Sequence, residues 1–253
     1  MVGLATFQNK TMLKFITQIV DDILWPSVFV VFFWLTFFMN EAYLLHLNNF
    51  GVRPGETEGL LGIVTMPFLH GDFTHLFSNT IPFLVSASFI FHFFKNKSWR
   101  IFIGIWLISG LGIWLLGEER TIHIGASGLV YGMVAFLMTS GFIRKNKHLT
   151  AVAFILVFMY GSMIWGLFPQ YSWVKEMNIS WEGHLFGALS GIGIAFMYRK
   201  VGPQDDPDPF EEEDELPQWW IDMENEKKAL EELKRQQSPT VHFTYKPKDQ
   251  ADK

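Results

Sequence analysis

The stretch Gly125-Ala126-Ser127-Gly128 stands at the junction between a polar loop and the apolar segment Leu129–Ile143. Its two glycines allow a tight turn and the close approach of another main chain. Taken alone, Ser127 is best interpreted as the N-cap of a helix, and Gly128 as a helix-packing residue. The fold prediction therefore depends on whether the apolar segments around this stretch span a membrane. A chemical role for Ser127 depends on which side chains those segments bring to it.

The amino-acid composition is typical of an integral membrane protein. Apolar residues make up 49% of the 253 residues, with 26 Phe and 10 Trp, and the mean hydropathy is positive. About 20 largely apolar helical residues cross a bilayer core. Six windows meet that requirement, which predicts an all-α, polytopic fold of six transmembrane helices. The predicted spans are Ile23–Leu45, His75–Phe94, Trp99–Leu116, Ser127–Ile143, His148–Gly166 and Glu182–Arg199.

Three regions follow from the spans and the charges. Residues 1–22 are predicted to be a cytoplasmic segment with the pattern of an interfacial helix, and residues 23–200 to be the six-span domain. Residues 201–253 are predicted to form an acidic, partly disordered cytoplasmic tail, because positions 203–253 hold 15 acidic and 7 basic residues, a net charge of −8. Within the tail, Pro217–Gln237 has the i,i+4 charge pairs of a short helix. The tail has no basic stripe, so we expect no nucleic-acid partner.

Basic residues predict the orientation of the spans. They concentrate in alternate connections, which the positive-inside rule places in the cytoplasm together with both termini. Spans two, four and six then begin at the outer face. The first span is predicted to be retained, because its apolar run Ile23–Met39 is longer than the core of a signal peptide. The cytoplasmic basic residues are Lys95, Lys97 and Arg100, then Arg144, Lys145 and Lys147, and finally Arg199 and Lys200.

Polar side chains recur at the predicted outer ends of spans two and six. His75 and Asn79 are four residues apart, so they share one face of a helix. His184 lies beside a stripe of small residues that would let span six pack closely on a neighbour. Taken alone, His75 is best interpreted as an interfacial histidine, Asn79 as a partner in an interhelical hydrogen bond, and His184 as a histidine bonded to a main-chain carbonyl. His123 is interpreted as an ordinary loop histidine. The small residues of the stripe are Gly183, Gly187 and Gly191.

The combination of these residues favours chemistry at Ser127. A serine nucleophile needs a base within hydrogen-bond reach, and the oxyanion of acyl transfer needs donors. His184 would supply the base, and His75 and Asn79 the donors, because the predicted topology places all of them at the depth of Ser127. Tyr131 lies one helical turn beyond Ser127 on the same face.

The motifs resemble those of the rhomboid intramembrane serine proteases. Gly125-Ala126-Ser127-Gly128 matches the family's G-x-S-G, His75 to Asn79 matches its H-x-x-x-N, and Gly183-His184 with the two later glycines matches its glycine-rich sixth helix. The resemblance covers residues 23–200 and implies a six-span rhomboid bundle.

The resemblance also implies a role for each site residue. Ser127 would be the nucleophile and His184 its base, without a third acid. His75, Asn79 and the N–H of Ser127 would form the oxyanion hole, and Tyr131 would stack on His184. The glycines with supporting roles would be Gly125, Gly128 and Gly187.

The activity implied is that of a serine endopeptidase that cleaves transmembrane segments of membrane-protein substrates near their outer ends, with no cofactor and no metal. The expected location is the lipid bilayer of a bacterial inner membrane, with the active site near the outer face. The segment Tyr171–Trp181 resembles the family's gating cap. Many members carry a Trp-Arg pair in the first outer loop, and this sequence has Leu61-Gly62 instead. Hypothetically, the charge of Glu182 could raise the pKa of His184.

Other classes of protein are weighed against this interpretation. An inactive rhomboid-like protein that binds client transmembrane helices is the alternative, although such proteins typically lack the serine or the histidine. A transporter with a histidine proton relay would require ionisable groups deeper in the membrane. His70, Asp72 and His75 match no zinc-protease spacing, and the spans contain no paired aspartates. The absence of cysteine excludes thiolate catalysis and disulfides.

Overall fold

The computed structural model describes residues 2–159, 166–168, 180–203 and 218–237, and these residues form helices and loops, with no strand among them. The all-α prediction is confirmed. Each predicted span overlaps one of the first six long helices, although the first, fifth and sixth predicted spans extend into described residues that are not helical. The long helices are α1 (Val2–Tyr43), α2 (Phe73–Phe94), α3 (Ser98–Leu116), α4 (Ser127–Arg144), α5 (Lys147–Met159), α6 (Trp181–Met197) and α7 (Gln218–Gln237).

Three segments are long and apolar enough to cross a membrane, namely Ile19–Tyr43, Phe73–Leu116 and Ser127–Arg144. The second contains both α2 and α3, which are joined by a 3-10 turn where Lys95 has a positive φ of 35°. Helices α5 and α6 are shorter, with 13 and 17 described residues. The protein is therefore an integral membrane protein, and the count of six spans stays a prediction.

One predicted boundary differs from the structure, and one predicted segment falls mostly outside the described residues. Helix α1 starts at Val2 and continues past residue 23, because positions 4–25 contain no glycine or proline that would end it. The predicted gating cap Tyr171–Trp181 lies outside the described residues except for its last two positions.

Helix α4 lies at the centre of the bundle. Within the protein, 67% of its residues are buried, against 17% of the α1 span. It packs on α2, α3, α5 and α6. Edge-to-face aromatic pairs join the surrounding helices: the rings of Phe33 and Phe83 are 4.8 Å apart, and those of Phe94 and Phe136 are 4.8 Å apart. The core therefore holds the helix that begins at Ser127.

Helices α4 and α6 touch through their main chains. A Cβ on Gly187 would collide with the carbonyl oxygen of Gly128, and a Cβ on Gly191 would collide with that of Gly132. Only glycine fits at these two positions of α6. The close contact fixes the register of the two helices, so that the start of α4 and the first turn of α6 lie side by side.

The loop between α1 and α2, residues 44–72, is predicted from the charges to lie at the outer face and is called the first outer loop. It contains the 3-10 turns Leu47–Phe50, Thr57–Leu60 and Met66–Phe68 and a one-turn helix, Gly62–Thr65. Two tryptophans of α3 hold the segments of this loop on either side of Leu61-Gly62. Trp106 Nε1 donates to the carbonyl of Ile63 at 2.8 Å, and Trp114 Nε1 donates to that of Glu56 at 2.7 Å. The loop is therefore anchored from α3.

The helix ends opposite Ser127 are tied by a buried cation. Arg144, the last residue of α4, is 3% exposed. Its guanidinium donates to the carbonyls of Tyr198 and Val201, which follow α6. These bonds hold the turn that follows α6 against the last residue of α4.

Helix α7 belongs to a second compact unit, residues 207–253. It matches the short helix predicted within the tail. Its side chains are exposed at every position from 218 to 236. Glu224 and Lys228 form one of the predicted i,i+4 ion pairs at 3.3 Å.

Candidate active site

Ser127 and His184 are joined by a hydrogen bond of 2.9 Å between Oγ and Nε2. Ser127 is the first residue of α4, and the preceding Ala126 occupies the cap position. The N-cap interpretation of Ser127 is therefore wrong, because its side chain reaches across to α6 instead of turning back onto its own helix. His184 lies in the first turn of α6 and is 6% exposed.

The protonation pattern of His184 follows from its second bond. Its Nδ1 lies 3.0 Å from the carbonyl oxygen of Gly166. Because a carbonyl can only accept, Nδ1 carries the hydrogen in the neutral ring, and Nε2 is left with a lone pair. Ser127 Oγ–H therefore donates to His184 Nε2, which is the arrangement that proton transfer from a serine requires.

Tyr131 lies against the face of the same imidazole. The ring centroids of Tyr131 and His184 are 4.0 Å apart, and the ring planes differ by 7°. Gly166 lies beside both rings, because a Cβ there would meet His184 Nδ1 at 2.9 Å and would collide with the Tyr131 hydroxyl. The ring of His184 is thus held on one face and at both nitrogens.

His75 approaches the site from α2. Its ring lies against Gly125, where a Cβ would be 2.6 Å from His75 Nε2. Gly125 has a φ of 106°, so both its conformation and its neighbour favour glycine. His75 is also close enough to His184 for the two rings to interact electrostatically. The structure therefore brings His75 to the loop that leads into Ser127.

Asn79 lies one turn below His75 and is 5% exposed. Its Nδ2 donates to the carbonyl of His75 at 3.0 Å, a bond within α2. One N–H of that amide is therefore engaged locally, and the second is the one left for other partners. Asp72 Oδ1 accepts from the main-chain N–H of His75 and so caps the start of α2.

His70 is a buried residue that sequence reasoning did not assign to the site. It is 1% exposed, and its ring centroid is 5.1 Å from that of His75. Neither ring nitrogen makes a hydrogen bond of regular geometry within the described part of the chain, although the main chain of Phe68 lies near enough to favour the charged ring. Burial lowers the pKa of His70 to about 3, and the neighbouring His75 acts in the same direction.

Glu182 does not bond to His184, because both ring nitrogens of His184 are already engaged by Ser127 and Gly166. Its charge acts instead on His123 in the loop before Ser127. Burial lowers the pKa of His123, and the charges of Glu182 and Glu118 oppose that shift.

His123 was interpreted from the sequence as an ordinary loop histidine, and the structure shows otherwise. Its side chain is bonded at both nitrogens, to Ser180 and to Thr121. The sequence gives no signal of these contacts. Ser180 is 57 residues away along the chain, and Thr121, two residues away, is a common loop residue.

Comparison with known proteins places the chain in a family. A profile of the rhomboid domain matches residues 57–201. An uncharacterized protein of Mycobacterium tuberculosis, Rv1337, is 36% identical over 177 residues, which are 67% of this chain and 72% of that protein. An uncharacterized protein of Mycobacterium leprae, ML1171, is 32% identical over 175 residues, covering 67% and 68%.

A third relative carries a functional name. YdcA of Bacillus subtilis, named provisionally as a rhomboid protease, is 25% identical over 154 residues, which are 59% of this chain and 71% of that protein. Rhomboid proteins are generally serine-type intramembrane proteases. The matched profile covers more than half of the chain and includes Ser127, His184 and the residues around them. The chain therefore belongs to the rhomboid family.

Proposed function

We propose that the protein is a serine endopeptidase that hydrolyses a peptide bond within the transmembrane segment of a membrane-protein substrate. Ser127 is the nucleophile and His184 is the general base. The observation that carries the proposal is the 2.9 Å bond from Ser127 Oγ to His184 Nε2, with the lone pair of Nε2 fixed by the bond of Nδ1 to Gly166. A serine outside such a pair is a weak nucleophile.

The reaction follows from this geometry. Ser127 Oγ attacks the carbonyl carbon of the scissile bond while His184 Nε2 takes the hydroxyl proton. The tetrahedral intermediate collapses when His184 gives that proton to the leaving amine, and an acyl-enzyme remains on Ser127. Water then attacks the ester, with His184 again acting as the base.

Donors for the oxyanion come from two elements. Ser127 is the first residue of α4, so its main-chain N–H has no partner within the helix and points out of the positive end of the helix dipole. The ring of His75 lies against Gly125, two residues before Ser127. We assign the remaining N–H of Asn79 as a third donor, since its other N–H is held by His75.

The imidazolium formed during the reaction is stabilised without a carboxylate. Its Nδ1–H keeps the bond to the carbonyl of Gly166 in both protonation states. The face of Tyr131 lies 4.0 Å from the ring, which favours a cation through the quadrupole of the aromatic ring. Ser127 and His184 thus form a dyad, and Gly125, Gly128 and Gly187 supply the space in which its members approach.

The location of the site fits substrates that lie in the bilayer. Ser127, His184 and His75 occur at the starts of α4, α6 and α2, whereas the basic residues cluster at the other ends of these helices. By the positive-inside rule the site lies near the outer face, and both termini are cytoplasmic. We assign residues 23–200 as the protease domain, residues 201–253 as a cytoplasmic tail and a bacterial inner membrane as the location.

Cleavage of a reporter tests the proposal. The purified protein is placed in liposomes with a single-span reporter that carries Ala and Gly at its outer end, and the product is measured by mass spectrometry. The wild type should cleave the reporter, and Ser127→Ala and His184→Ala should each lower the rate by roughly 10³-fold or more. Gly193→Ala is the matched control, because a Cβ at Gly193 meets nothing within 4 Å.

Equal cleavage by wild type and Ser127→Ala would contradict the proposal. A folded wild type that binds the reporter without cleaving it would also contradict it, and would favour a protein that binds client transmembrane helices.

A further inference from the structure

His123 connects the loop before Ser127 to the first outer loop and to the N-cap of α6. It is 5% exposed and lies four residues before Ser127. Its main chain forms an antiparallel bridge with Val52 of the first outer loop, with both N–H···O bonds at 2.9 Å. Its side chain bonds to Ser180 Oγ at 2.6 Å and to Thr121 Oγ1 at 2.8 Å.

Ser180 is the N-cap of helix α6, which begins at Trp181. Its Oγ accepts the main-chain N–H of Gly183 at 3.1 Å and so caps the helix. His184 follows four residues later, and its main-chain N–H bonds to the carbonyl of Ser180. The position of Ser180 therefore determines where the first turn of α6 presents His184 to Ser127.

The number of hydrogens on Thr121, His123 and Ser180 determines which group donates in each of their hydrogen bonds. Thr121 Oγ1 donates its one hydrogen to the carbonyl of Glu118 at 2.6 Å, so His123 Nε2–H must donate to Thr121. In the neutral ring, Nδ1 then has a lone pair, and Ser180 Oγ–H donates to it. The oxygen of Ser180 stays free to accept from Gly183. Every polar hydrogen of the chain of bonds is used once.

We propose that His123 is a positioning residue for the dyad, acting as a latch that ties the loop carrying Ser127 to the N-cap of the helix carrying His184. This inference rests on the proposed function, because it assigns to His123 an effect on the reactivity of Ser127. The latch holds the two segments by a side-chain bond at the helix start, in addition to the glycine contacts further along α4 and α6.

The latch works in the neutral form of His123. A proton on Nδ1 would remove the acceptor for Ser180 Oγ–H. The hydroxyl hydrogen of Ser180 would then have no acceptor on His123. The charged groups whose fields reach His123 are Glu182, on α6, and Glu118, on its own loop. Burial is the larger influence and keeps the ring neutral.

Three substitutions of His123 separate this role from simple space filling. In His123→Asn, the amide oxygen occupies the place of Nδ1 and can still accept from Ser180. In His123→Gln, the amide reaches the place of Nε2 and can bond only to Thr121. In His123→Leu, both bonds are lost at a similar volume. The measurement is the second-order rate at which a fluorophosphonate labels Ser127, with thermal unfolding recorded on the same samples.

The expected order of rates is specific to the latch. The Asn variant should label within about threefold of the wild type. The Gln and Leu variants should both be slower by roughly tenfold, because both lose the buried bond to Ser180 that the proposal makes responsible. Ser180→Ala should slow labelling similarly. Adding His123→Gln to Ser180→Ala should slow it little further, because both substitutions break the same bond.

Two further outcomes distinguish the failures. If the wild type is labelled and the three His123 variants label at one rate, the positioning role is wrong and the proposed function stands. If neither the wild type nor the Gly193→Ala control is labelled while both unfold normally, the proposed function is wrong, and the positioning role falls with it. A double-mutant cycle on unfolding would still measure the bond between His123 and Ser180 itself.

Discussion

At the scale of single residues, the reactivity of Ser127 depends on how firmly His184 is held. Tyr131 contributes an aromatic face at 4.0 Å. We expect Tyr131→Phe to keep the fluorophosphonate labelling rate within about threefold, because the ring remains. Tyr131→Leu should lower it by roughly threefold to tenfold, since an aromatic pair is worth about 0.5–1.5 kcal/mol. A Leu variant that labels at the wild-type rate would show that the ring does not orient His184.

His70 predicts a pH dependence of stability. Its pKa in the folded protein is about 3, below the ordinary value of 6.5. Well above pH 6.5 the ring is neutral in the folded and in the unfolded protein, so the free energy of unfolding does not depend on His70 protonation there. Between pH 6.5 and 3 only the unfolded chain binds the proton, so the free energy of unfolding should fall by up to about 1.4 kcal/mol per pH unit.

The measurement is the unfolding temperature from pH 7 to pH 4 in detergent. His70→Leu should lose stability less steeply than the wild type as the pH falls. His46→Asn is the matched control, since His46 is exposed and has a left-handed backbone that asparagine tolerates. Parallel curves for wild type and His70→Leu would contradict the assignment.

The sequence predicts some site residues and not others for a physical reason. The pairing of Ser127 with His184 could be predicted, because each lies at a helix start next to glycines that permit a close approach. The carbonyl of Gly166 could not, because a main-chain carbonyl has no residue-type signal. The bond between His123 and Ser180 joins residues 57 positions apart and depends on tertiary structure alone.

At the scale of elements, the contact between α4 and α6 sets the geometry of the dyad. We expect Gly187→Ala to separate the helices, because its methyl group would collide with the carbonyl of Gly128. Overpacking of this kind destabilises by about 1–3 kcal/mol, which exceeds the helix propensity that alanine gains. The labelling rate of Ser127 should fall together with the unfolding temperature.

Gly193→Ala provides the control on the same helix. Nothing lies within 4 Å of a Cβ at Gly193, so the substitution should be neutral or stabilising by up to about 1 kcal/mol. If Gly187→Ala and Gly193→Ala behave alike in both measurements, the close contact is not what holds the site together.

The stripe of glycines on α6 could be predicted from its four-residue spacing, but its partner helix was inferred only by matching it to the glycines of α4. The first outer loop shows the opposite case. Hydropathy gives no period there, and the two tryptophan bonds that hold the loop come from α3 at a distance of 43 and 58 residues along the chain. Such contacts follow from the packed fold and not from local pattern.

At the scale of the whole molecule, the helices of the bundle could be predicted from hydropathy and charge, because a bilayer requires long apolar helices. The tail differs from the bundle because its described helix has exposed side chains from residue 218 to residue 236. Among the residues whose burial the structure describes, the buried apolar core lies between Phe33 and Ala195, and the compact unit that contains it ends at Asp206. The stability of the bundle should therefore not depend on residues 207–253.

We predict that a chain ending at Asp206 unfolds within a few degrees of the full-length protein and labels Ser127 at the same rate. The comparison uses both proteins in the same detergent. The control without labelling is the chain ending at Asp206 that also carries Ser127→Ala. A truncated protein with a markedly lower unfolding temperature would show that the tail supports the bundle. One that is stable but unlabelled would show that the tail acts on the site.

The most direct test of the central claim is the mass of the adduct that a fluorophosphonate forms with the protein in liposomes. The dyad predicts one adduct, located at Ser127 by peptide mass spectrometry, absent from Ser127→Ala and slower by roughly 10³-fold or more in His184→Ala. An adduct on another residue, or a His184→Ala protein that reacts as fast as the wild type, would contradict the account that Ser127 is a nucleophile activated by His184.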